Sequence, residues 1–92
     1  MKEFTLPINK TSIETGLWHI QCHLMMKYGT DQAYHDMLPL HWYINSGRAS
    51  IDFLRLLLGA KPYMIARKLH QGGSDQAVID RLKSYLGYEA TI

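Results

Sequence analysis

The chain has 92 residues, 47% of them hydrophobic, with ten Lys and Arg against eight Asp and Glu and a net charge of +2 with the five histidines neutral. Length excludes more than one domain, apolar content argues against global disorder, and a charge this small excludes a dedicated nucleic-acid coat. At this size a chain buries only about 60–65% of its unfolded surface, which leaves little room for an enclosed active site. Cys22 is alone, so no internal disulfide can form, and a reducing, cytoplasmic setting is expected. No signal-like run opens the chain, no apolar run approaches the ~20 residues of a membrane span, and no membrane role is expected.

Phe4, Leu6 and Ile8 alternate with Glu3 and Thr5, as in a short strand that Pro7 confines to an edge. Tyr88, Ala90 and Ile92 alternate as well, so the termini could form a short two-stranded pairing. Thr11 followed by Glu14 has the spacing of a capping box, which predicts a helix over about 12–28, stopped by Gly29. Ile13, Leu17, Ile20, Leu24 and Tyr28 form its core stripe; Trp18, Cys22, Met25 and Met26 form a second apolar strip. His19, His23 and Lys27 line the remaining narrow edge.

A short helix is expected over about 31–38, ended by Pro39. Leu40 to Ile44 can be read as helix or strand, and helix is favoured because no strand partner lies nearby. Asn45, Ser46 and Gly47 make a turn. The next helix, about 48–58, is apolar almost all round apart from Arg48, Asp52 and Arg55, which places it at the centre of a bundle. Pro62 suits the first position of a helix over about 62–71, with Pro62, Ile65, Ala66 and Leu69 inward. Ser74 caps a last helix, about 75–86, with Val78, Ile79, Leu82, Tyr85 and Leu86 inward and Gly87 as its stop. The expected fold is all-α: one domain over 1–92, a small bundle of four to five helices, with the terminal strand pairing as an addition.

From Phe53 to Ser74 the chain has no Asp or Glu. The outer face of helix 62–71 is therefore the leading functional candidate. Tyr63 and Arg67 stand at i,i+4, so the guanidinium can lie over the ring. Lys61, Lys68 and His70 add donors, and Arg81 and Lys83 can extend the patch. Donors beside an aromatic platform suit a phosphate backbone with nearby bases. The plain alternative is an ordinary solvated face. Trp18, Met25 and Met26 offer a rival protein-interaction patch, although such residues also fill small cores.

His19 and His23 have the i,i+4 spacing of a metal pair, but no Glu follows His19 and a four-ligand set is lacking. Cys22 has no third group to complete a nucleophile. No catalytic motif is present, so neither an enzyme, a cofactor, a metal nor a small-molecule substrate is expected. A helix-turn-helix regulator would use 62–71 and 75–86 around Gly72, Gly73 and Ser74, with Gln76, Ala77, Asp80, Arg81 and Ser84 meeting DNA. The acids on that second helix and the denser basic charge on the first fit this reading poorly.

In size and general character the chain resembles small phage-encoded proteins that block host nucleic-acid machinery, anti-CRISPR proteins among them. The resemblance rests on no shared motif and carries over no residue. It implies a non-enzymatic inhibitor, acting in the host cytoplasm on a protein–nucleic-acid complex, whose basic helical face occupies the place of a nucleic-acid backbone. A pure protein-interaction module and a helix-turn-helix regulator are the alternatives.

Overall fold

A computed structural model describes residues 8–88, which form five helices and, among the described residues, no strand. The expected pairing of the termini falls on residues 1–7 and 89–92, outside the described residues; Ile8 and Tyr88, which flank them, lie in no strand.

Helix α1 runs Lys10–Tyr28 and starts earlier than the Thr11–Glu14 spacing predicts. Its cap is Asn9: Oδ1 accepts from the Ser12 N–H at 2.9 Å, and Ser12 Oγ accepts from the Asn9 N–H at 2.9 Å. The reciprocal pair is a capping box shifted upstream, because Asn is as good a cap as Thr and a partner stands three residues on. Gly29, at φ 95°, ends α1 and opens α2, Thr30–Asn45. Only glycine reaches that backbone region without strain, so one residue can serve as the whole connection.

Pro39 does not end the second helix; it lies inside α2. The missing N–H and the ring clash cost about 3 kcal/mol in a helix interior. Stopping there would instead unseat Leu40 and Tyr43, which continue the buried face of Ala33, Asp36 and Met37. Burying two such side chains contributes roughly 2–3 kcal/mol each, so the continued helix wins. Leu40 to Ile44 are accordingly helical, and Ser46 Oγ closes the end by donating to the Tyr43 carbonyl at 2.8 Å.

Helix α3, Ile51–Gly59, begins later than expected, because Ser50 accepts from the Phe53 N–H and Arg48 stays in the loop. It is not the bundle's centre. Phe53, Leu54 and Leu57 are buried, but Ile51 and Leu56 are 50% and 41% exposed, and α3 packs chiefly on α1 and α5. A nine-residue helix has only one face long enough to cover, however apolar its remainder. The central element is α1, whose nineteen residues pack on α2 and on α4, Pro62–His70. Gly16 lets Leu58 of α3 sit against the α1 backbone where any Cβ would collide.

Pro62 occupies the first turn of α4, and Ile65, Ala66 and Leu69 are buried as expected. Ser74 caps α5, Asp75–Leu86, by accepting from the Ala77 N–H, and Gly87 ends it in the left-handed conformation at φ 73°. Val78, Ile79 and Leu82 complete the core; Phe53 meets Tyr43 edge-on at 5.2 Å and Tyr88 at 5.8 Å. No helix among the described residues is long and apolar enough to cross a membrane.

Candidate nucleic-acid interface

The last two turns of α1 and the first two of α4 run beside one another and leave an open cleft of about 530 Å³. From α1 come His23, Met26, Lys27 and Tyr28; from α4 come Tyr63, Ala66 and Arg67. The spacing explains the walls. His23 and Lys27 stand one turn apart on the narrow edge of α1, as Tyr63 and Arg67 do on α4, and Ala66 is too small to fill the floor. The ring of Tyr63 meets His23 edge-on with centroids 6.3 Å apart, so the expected stacking of Arg67 on Tyr63 is replaced by a contact across the cleft. Lys27 and Arg67 are both exposed, and no carboxylate lines the cleft.

Arg81, Lys68, Lys83 and His70 do not join that surface. Arg81 crosses from α5 to the end of α4, donating from Nη1 to the Lys68 carbonyl at 3.0 Å and from Nη2 to the Gly72 carbonyl at 2.9 Å. It satisfies carbonyls that a helix end leaves without donors. Lys68 lies with Nζ 5.5 Å from the centre of the Tyr85 ring, and Lys83 lies 5.1 Å from that of Tyr43. Each covers an aromatic ring with its alkyl stem and cation. His70 turns inward: Nδ1 is 2.8 Å from Oδ2 of Asp36, and its ring stacks on Tyr28 at 3.5 Å. Lys61 is exposed just ahead of α4.

The apolar strip of α1 is divided too. Trp18 and Met26 are 53% and 86% exposed, whereas Met25 is half-buried against the core. Only Met26 lies at the cleft. Cys22 is half-buried, His19 and His23 are exposed, and among the described residues no three His, Cys, Asp or Glu side chains gather around a common point. On α5, Gln76 donates to Asp80 at 2.8 Å, so with Arg81 held against α4 the proposed reading helix keeps few groups for DNA bases.

Lys27 and His23 are the cleft residues that inspection of one helix at a time misses. Their signal was the edge at positions 19, 23 and 27, which carries donors and no acid. Asp36 gave no such signal; it is the one buried charged side chain among the described residues.

These features define a small helical protein, with five helices among the described residues and an open cleft that is cationic and aromatic. No protein-family model, no curated protein and no solved structure matches the chain.

Proposed function

We propose that the protein is a non-enzymatic inhibitor of the anti-CRISPR kind, which docks on a protein–nucleic-acid complex and occupies the path of the nucleic-acid backbone. The observation that carries this reading is the cleft itself. Lys27 and Arg67 face it from opposite walls, Tyr63 and His23 supply ring surfaces, and no acid opposes a phosphate. Lys27 and Arg67 can each neutralise a backbone phosphate while an unstacked base lies against Tyr63. Lys61, exposed just ahead of α4, adds a cation near the start of the same helix. The working set is therefore Lys27, Lys61, Tyr63 and Arg67, while Lys68, His70, Arg81 and Lys83 support the fold.

The test is fluorescence anisotropy with a labelled single-stranded oligonucleotide, repeated over a range of salt. Two phosphate contacts predict a slope of log K on log salt near −1.4, from about −0.7 for each single-strand contact. Lys27→Glu with Arg67→Glu should abolish binding and slope while leaving the circular dichroism spectrum unchanged. Native protein that fails to bind, or whose binding ignores the charge reversal, would sink the reading. A protein-only interface predicts salt-independent partner binding that is lost with Met26→Glu, which is 86% exposed beside the same cleft.

A further inference from the structure

The outward face of α2 carries an aromatic and aliphatic stripe that the fold leaves uncovered. Tyr34, Leu38 and Trp42 follow one another at one-turn intervals and are 62%, 42% and 38% exposed. Three large apolar side chains in a row on a surface helix are a cost in water unless something covers them. None of them touches the cleft, so their exposure has no part in the nucleic-acid reading.

The arrangement of the stripe points to what covers it. Leu38 is its midpoint. Tyr34 and Trp42 lie about 6 Å to either side along the axis and roughly 40° to either side around it. Asp31 and Asn45 lie about 10 Å to either side on the same face. A twofold axis between two copies at the level of Leu38 sets Tyr34 of one beside Trp42 of the other, on opposite sides of the seam, while Leu38 meets Leu38. An isologous contact requires this kind of self-complementary surface.

Charge selects the direction. Asp31 stands at the first turn of α2, and Arg48 stands beyond the last turn with its guanidinium 5.4 Å from the Trp42 ring. Antiparallel pairing brings Asp31 of each copy to the Asn45 amide and the Arg48 guanidinium of the other. Parallel pairing would set Asp31 against Asp31 and Arg48 against Arg48. The helix dipoles also oppose each other in the antiparallel arrangement.

We propose that the protein forms an antiparallel homodimer through α2, with the twofold axis at Leu38, the Tyr34 and Trp42 rings packed side by side across the seam, and Asp31 paired with Arg48 at each end. One helix per copy is a small contact, so the dimer is a weak one, with a Kd of about 10–100 μM. It places two clefts in one particle, and a nucleic acid long enough to reach both gains affinity from the linkage.

Sedimentation equilibrium over about 10 μM to 1 mM protein tests it, in the concentration range where such a contact assembles. The native chain should rise from its monomer mass of 10.6 kDa towards twice that value. Leu38→Glu sets two carboxylates on the axis and should hold the monomer mass throughout, with an unchanged helical spectrum because Leu38 is exposed. Asp31→Arg should weaken the dimer by about fivefold or more, and Asp31→Arg with Arg48→Asp should recover most of that loss, as paired surface charges do. The charge swap reads the same contact without relying on Leu38→Glu. A monomer mass at every concentration, a Leu38→Glu protein that dimerises like the native one, or a double swap no tighter than the single change would each overturn the proposal. With an oligonucleotide too short to reach two clefts, the binding assay reads the cleft independently of the dimer, because none of these positions lines it.

Discussion

His70 Nδ1, on α4, lies 2.8 Å from Oδ2 of Asp36, on α2. The other carboxylate oxygen accepts from Gln32 Nε2 at 2.9 Å, and the His70 ring stacks on Tyr28 of α1 within 7° of parallel. One imidazole thus connects three helices, and the buried carboxylate has both oxygens engaged.

Removing His70 leaves Asp36 buried with Gln32 as its remaining partner. His70→Ala should therefore cost about 2–3 kcal/mol, measured by urea denaturation, because Oδ2 of a buried carboxylate loses its partner and the ring stacked on Tyr28 is lost with it. Changing Asp36→Leu and His70→Phe together should cost much less than the sum of the two single changes. A His70→Ala protein within about 0.5 kcal/mol of native would show that the pair contributes nothing beyond a surface contact.

Arg81 holds the end of α4 through two carbonyls at once. Arg81→Ala should lower stability by about 1.5–3 kcal/mol, the range for hydrogen bonds to a charged group. Arg81→Lys should recover less than half of this, since an ammonium cannot match the planar fork. Equal stability of the Lys and Arg forms would mean that charge alone matters there.

Tyr63 is 51% exposed, so its ring contributes little to the core. If it stacks on a base, Tyr63→Ala should weaken oligonucleotide binding by about 5- to 100-fold, while Tyr63→Phe keeps most of the affinity. Thermal midpoints of both variants should stay near native. Loss of stability in step with loss of binding would assign Tyr63 to the fold instead.

Two glycines in helices should respond with opposite sign. At Gly16 an added Cβ collides with the end of the half-buried Leu58 side chain, which must turn aside, so Gly16→Val should destabilise by about 1 kcal/mol, the low end for overpacking. At Gly59 a Cβ meets only open space, and Gly59→Ala should stabilise by about 0.5–1 kcal/mol by removing freedom from the unfolded chain. Similar responses at both sites would contradict the close approach of α3 to α1.

Local chemistry is what one chain read in order reveals well. The inward residues of α4 and α5, the stripe Leu17, Ile20 and Leu24, the helix starts at Pro62 and Ser74, and the stops at Gly29 and Gly87 all follow from periodicity and from groups within four residues of each other. Pro39 shows the limit of that logic. Its local cost is real, and the burial that outweighs it is supplied by other helices. Apolar content likewise says that α3 is greasy and not that α1 lies at the centre, because position in a bundle depends on which faces find partners.

The basic segment divides along the same line. Its composition, donors without acids between Phe53 and Ser74, is a property of the chain alone, and so are the all-helical class and the inner faces of α1, α4 and α5. Which of those donors remain free was decided by contacts remote in sequence: His70 to Asp36 across 34 residues, and Arg81 to Lys68 across 13. The same packing set Lys27 opposite Arg67. A charged side chain goes to whichever buried carboxylate, bare carbonyl or ring the fold brings within reach, and only those left without such a partner face the cleft.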